Sequence, residues 1–139
     1  MMILFAARYA GSGLVCLAVF GIHARCLATD YTITGSTTTT QSLSAGDSLT
    51  ITDSGSINVT GDNTKGVSAT GGANTISNSG TISTDGSTGS DAIAAREGSN
   101  TIINNGAIST QGNSSRGIFA SGNQNTITNT GAITTVNSA

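Results

Sequence analysis

The stretch NTISNSGTI, Asn74 to Ile82, decides how this chain folds, because it recurs as NTIINNGAI from Asn100 and NTITNTGAI from Asn125. A drifted copy, LTITDSGSI, begins at Leu49, and the successive spacings are 25, 26 and 25 residues. A second repeated stretch precedes each of the three regular copies, as GVSA from Gly66, AIAA from Ala92 and GIFA from Gly117. Periods of this length belong to repeat architectures, in which each unit contacts its neighbours along one axis. The alignment sets up the columns Ile51/Ile76/Ile102/Ile127, Gly55/Gly80/Gly106/Gly131, Ile57/Ile82/Ile108/Ile133 and Val67/Ile93/Ile118.

Each unit carries three short extended segments separated by clusters of Gly, Asn, Ser or Asp, and none has a helical stripe. In Asn74–Asn78 the single aliphatic residue sits among polar ones, so the two-residue period of a strand turns Ile76 inward and Thr75 and Ser77 outward. The same rule turns Ile82, Val67 and Ala69 inward. One or two aliphatics per strand cannot build a core within one unit, whereas stacked coils share them as continuous ladders. The expected fold is therefore all-β, a parallel β-helix of about three and a half coils with a 25-residue repeat.

The polar columns fit the same stack. Asn78, Asn104 and Asn129, with Asp53 in the first copy, precede the glycine column where the chain must turn. Stacked amides about 4.8 Å apart can hydrogen-bond along the axis. The glycine that follows supplies either a positive φ or close packing at the corner.

Outward from the repeats, residues 29–48 read as an N-terminal cap, with Tyr31, Ile33 and Leu43 as its apolar contacts. The repeats then occupy 49–73, 74–99, 100–124 and a partial 125–139. Residues 1–28 read as a signal peptide. Arg8 and the amino terminus give a weakly positive start, Gly13 to Ile22 gives an apolar run of ten, and Cys26 and Ala28 supply small residues before a cut at Thr29. Ten residues are too few to span a bilayer.

Composition divides along the same boundary. Ser, Thr, Asn and Gly make up 73 of 139 residues, proline is absent and only 9% are charged. Removing residues 1–28 leaves 29 apolar residues in 111, too few for a globular core but enough for shared isoleucine columns. The same cut takes away both cysteines and the single histidine, and with them most candidate soft-metal ligands. Three basic residues (Lys65, Arg96, Arg116) then face seven acids, which argues against a nucleic-acid partner.

The leader, the start DYTITGSTTTTQSLSAGDSLTITDSGSI and the NTIxNxGxI repeats together resemble the N-terminal part of bacterial autotransporter passenger domains, over Thr29 to Ala139. The resemblance implies a right-handed β-helix exported through the inner membrane and displayed at the outer membrane or cell surface, acting as an adhesin or stalk toward a host or surface ligand. The family's C-terminal membrane barrel, with its aromatic girdles, is not among these 139 residues, so the chain reads as a truncated product, a fragment or a short relative. The last coil leaves Ile127, Ile133 and Val136 uncapped, which suggests end-to-end self-association.

Two other functional classes make different demands on the sequence. A fragment of a secreted β-helix enzyme acting on polysaccharide would need carboxylates clustered in one groove. Here Asp30, Asp47, Asp53, Asp62, Asp85, Asp91 and Glu97 are scattered, and Asp62 and Asp85 fall near turns. Lys65, Asp91 and Arg116 align in one column, read as an exposed ion-pair ladder worth at most about 1 kcal/mol per pair. Arg96-Glu97 reads as surface charge. The calcium nonapeptide fails at Ala73, and no nucleophile elbow or phosphate loop occurs. A surface- or ice-binding Thr ladder, Thr50/Thr75/Thr101/Thr126 with Thr52, Ser77, Ile103 and Thr128, is broken by Ile103. The reading is a structural or interaction protein rather than an enzyme. It assigns no catalytic residue, cofactor or metal ligand and expects no small-molecule substrate.

Overall fold

Single isoleucines set among Thr and Ser favour short pleated strands, and Gly and Asn close each run before a helix can nucleate. The computed structural model describes residues 28–137 in full. Nearer the N-terminus it gives only the backbones of three short strands, β1 (Ala6–Arg8), β2 (Val15–Val19) and β3 (Ile22–Cys26), paired antiparallel with one another. The signal-peptide reading of residues 1–28 lies almost wholly outside the residues described in full.

The remaining strands form three parallel sheets. The first holds β4 (Asp30–Ile33), β7 (Ser48–Ile51), β10 (Thr75–Asn78), β13 (Thr101–Asn104) and β16 (Thr126–Asn129). The second holds β5 (Ser36–Thr37), β8 (Ser56–Thr60), β11 (Thr81–Thr88), β14 (Ala107–Asn113) and β17 (Ala132–Val136). The third holds β6 (Gln41–Leu43), β9 (Lys65–Ala69), β12 (Asp91–Ala95) and β15 (Ile118–Ala120). Each strand pairs with the strand three places away in sequence, so every coil visits the three sheets in turn. The result is a three-sided parallel β-solenoid.

Its core consists of stacked columns. Leu49, Ile76 and Ile102 line the first sheet, Ile57, Ile82 and Ile108 the second, and Val67 and Ile93 the third, all essentially inaccessible to solvent. Burial of each such side chain is worth about 1.5–3 kcal/mol. Tyr31, Ile33 and Ile118 pack on this cluster at its ends.

Residues 29–48 do more than cover the first repeat. They supply one strand to each sheet, β4, β5 and β6, and so form a coil of their own with shortened corners. Counted from Leu49 the coils number about three and a half, as expected, and this segment adds one above them. From Tyr31 to Leu49 the turn takes 18 residues; the later turns, Leu49 to Ile76, Ile76 to Ile102 and Ile102 to Ile127, take 27, 26 and 25.

The first repeat joins the stack in a different register from the one its sequence suggests. Ile76 pairs with Leu49, and Asn78 pairs with Ile51. The expected Ile51/Ile76 column and the Asp53/Asn78 column are thus displaced by two residues, and Thr50 stacks on Ser77 rather than Thr75. A shift of two keeps every side chain on its own face, so the hydrophobic pattern does not oppose it. The corner Thr52–Ser54 absorbs the difference, and Gly55 regains the glycine column, with Ser56 opposite Thr81.

The glycine column serves close packing. A Cβ built on Gly80, Gly106 or Gly131 would lie 2.0–2.1 Å from the carbonyl oxygen of the glycine one coil earlier. Positive φ occurs instead at another corner, at Ala73 (55°), Ser99 (55°) and Gln124 (63°), each one residue before a stacked asparagine.

Candidate interaction surface

Both asparagines of the Asn-Thr-Ile-x-Asn motif share the parity of the central isoleucine, so both turn inward, one at each end of the strand. The downstream set is the expected ladder. Asn78 Nδ2 donates to Asn104 Oδ1 at 2.7 Å, and Asn104 Nδ2 donates to Asn129 Oδ1 at 2.7 Å. Asp53 takes no part; its place above Asn78 is held by Ile51, and Asn78 Oδ1 is left without a partner.

A second ladder, not anticipated from the sequence, runs through Asn74, Asn100 and Asn125. Asn74 Nδ2 and its backbone N–H both donate to Asn100 Oδ1 at 3.1 Å, and Asn100 donates in the same way to Asn125 Oδ1 at 3.0 Å. Each amide also donates to the carbonyl four residues back, of Thr70, Arg96 and Ser121. Asp47 closes the top. Its backbone N–H donates to Asn74 Oδ1, while its buried carboxylate accepts the N–H groups of Thr29 and Ser44, each at 2.8 Å. Period two through Leu49 places Asp47 inward, and that was the signal available for it.

Charge gathers on the third sheet. Lys65 opens β9, Asp91 opens β12 one coil on, and Arg116 lies just before β15. The expected column is present, but it is not an exposed ladder, because the Asp91 side chain is wholly buried. Asp91 has the parity of Ile93, so the strand turns its carboxylate inward. Its Oδ1 accepts Arg116 Nε at 2.9 Å and the Arg116 backbone N–H at 3.1 Å, and its Oδ2 accepts Arg116 Nη2 at 2.9 Å. Lys65 Nζ stands 3.7 Å from Oδ2 and donates to the carbonyls of Asn63, Thr64 and Gly89. The hydrogen bonds to Asp91 hold Arg116 above the ordinary arginine pKa, against a smaller opposing cost of desolvation and with help from the nearby carboxylate charge. A buried carboxylate left without its arginine is costly, so this cluster joins three successive coils more firmly than surface pairs do.

Phe119 lies beside the cluster. The Arg116 guanidinium carbon sits 3.8 Å from the Phe119 ring centroid and that of Arg96 sits 5.5 Å away, within cation–π range. Arg96 and Glu97 are exposed, and neither forms an ion pair among the described residues. Phe119 occupies the outward column Ser42/Ser68/Ala94/Phe119. Its clustering with two arginines was not foreseen from the sequence: Arg116 lies three residues before it and Arg96 one coil earlier, which puts them near one another without stating where their side chains turn.

The other acids stay apart. Asp62 Oδ1 accepts the N–H groups of Ser87 (2.6 Å) and Thr88 (3.3 Å) at a turn between coils, and Asp30, Asp53 and Asp85 are exposed. Among the described residues no three His, Cys, Asp or Glu side chains come together as a metal site would need. On the first sheet the outward columns are Asp30/Ser48/Thr75/Thr101/Thr126 and Thr32/Thr50/Ser77/Ile103/Thr128, a different Thr array from the one the sequence alignment implied.

The fold and its surface define a three-sided parallel β-solenoid with hydroxyl-rich faces and one charged, aromatic corner. Compared with family models, curated proteins and solved structures, the chain gives no match.

Proposed function

We propose that this chain is an exported β-solenoid segment of a cell-surface protein of the autotransporter passenger kind, working as a stalk or adhesive scaffold rather than as an enzyme. The observation that supports it most is the sharing of every core column between coils, which lets a polar, charge-poor sequence build a rod of stacked coils. Such a rod keeps its cross-section while coils are added or removed, and that suits a spacer that carries binding surface away from a membrane. The dispersed carboxylates agree with a binding role, since hydrolysis or elimination of a polysaccharide uses acids converging on one groove.

The test follows the N-terminal segment. The full chain, expressed in a Gram-negative host with an epitope inserted at the exposed corner near Asp62, is fractionated and its amino terminus sequenced. Export with a mature start at Thr29 and epitope accessibility on a barrel-fused chain support the proposal. Retention in the cytoplasm with Met1 intact overturns it.

A further inference from the structure

The three cations among residues 28–137, Lys65, Arg96 and Arg116, all lie on or beside the third sheet, although the chain carries more acids than bases. Two of them converge on the ring of Phe119, the one aromatic side chain of the repeats. We infer that the Arg96–Phe119–Arg116 corner is a docking site for an acidic polysaccharide, one bearing carboxylate or sulfate groups. The inference deepens the adhesive reading above and rests on it only for where such a polymer would be met.

The three side chains differ in what they have left to give. Lys65 is saturated by three backbone carbonyls. Arg116 spends Nε and Nη2 on buried Asp91, so Asp91 fixes the plane of its guanidinium and leaves Nη1 directed elsewhere. Arg96 is exposed, and its guanidinium lies over the Phe119 ring and forms no ion pair among the described residues. Glu97 beside it reduces the net charge of the corner without pairing with it.

A free guanidinium fork, as on Arg96, matches a carboxylate or sulfate oxygen pair, and Arg116, with Nη1 left over from its bonds to Asp91, contacts the same ring. Ser121, Asn123 and Gln124 follow Phe119 along the chain and offer neutral hydrogen-bonding groups of the kind that sugar hydroxyls use. Two available cations are too few to hold a nucleic acid, whose affinity comes from neutralising many phosphates. A half-buried phenyl ring whose outward column continues only as Ala94, Ser68 and Ser42 offers a bilayer little to insert.

The test uses the full chain in affinity electrophoresis through gels containing polygalacturonate, dextran sulfate or neutral dextran, with DNA and anionic phosphatidylglycerol vesicles as competitors. Retardation by an acidic polysaccharide, relieved by salt and absent with neutral dextran, is expected. Arg96→Gln, which breaks no ion pair, should weaken retardation about tenfold at an unchanged melting temperature. Phe119→Leu should weaken it as well. No retardation by either acidic polymer, equal retardation of Arg96→Gln, or stronger binding to DNA or vesicles overturns the inference. Failure here in a chain that is exported and displayed leaves the surface-protein proposal standing; binding by a chain that is never exported separates the two in the other direction.

Discussion

Thr110 Oγ1 and Asn78 Oδ1 are buried side-chain atoms with no hydrogen-bond partner among the described residues, and each marks where the repeat departs from its own rule. Thr110 faces inward in the column Val59/Thr84/Thr110/Thr135. Thr84 donates to the Ser90 carbonyl at 3.0 Å, but Thr110 has nothing equivalent. Val59 already places the isosteric apolar side chain in that column. Thr110→Val is therefore expected to stabilise the protein by about 1 kcal/mol, seen as a higher urea midpoint; a lower midpoint would show that the hydroxyl has a partner in solution. Asn104 makes the opposite case. It accepts from Asn78 and donates to Asn129, so Asn104→Ala should cost about 2 kcal/mol, whereas Asn129→Ala, at an exposed position, should cost less than half of that. Equal effects of the two substitutions in chemical denaturation would argue against a cooperative ladder.

At the scale of the strand and its corner, close stacking decides. Gly106→Ala would drive a Cβ to within 2.1 Å of the Gly80 carbonyl oxygen, and the other nearest atoms are backbone of Ser79, which leaves nothing flexible to yield. Its expected cost is about 3 kcal/mol, read as a lowered thermal midpoint. A loss under about 0.5 kcal/mol, the usual range of surface changes, would place that glycine outside the stack. The strands themselves were legible because the repeat writes Ile76, Ile102 and Ile127, or Gly80, Gly106 and Gly131, at matching positions. The register of Leu49 against Ile76 was not, since a two-residue shift leaves inward and outward sets unchanged and only corner length distinguishes the alternatives. The burial of Asp91 was legible in part: parity with Ile93 turns it inward, but its capacity to stay there depends on Arg116 in the next coil. The convergence of Arg96 and Arg116 on Phe119 depends on side-chain direction between coils, which linear spacing does not state.

For the whole molecule, stability accrues coil by coil, and the two ends differ. Ile127 and Ile133 belong to inward columns that are sealed in earlier coils, yet they are 49% and 41% exposed in the last one. Val136 is exposed for another reason: its partner Gln111 places it on the outer face. The 139-residue chain is therefore expected to associate through this end as its concentration rises, and Ile133→Lys should shift sedimentation toward monomer. Persistence of the same oligomer in that variant would locate the contact elsewhere. The central claim is the parallel stack itself. Methyl NMR on isoleucine-labelled protein tests it most directly, because coils spaced about 4.8 Å apart bring Ile82 into contact with both Ile57 and Ile108. Nuclear Overhauser contacts from Ile82 to both residues are predicted, and their absence in a folded protein would contradict the solenoid.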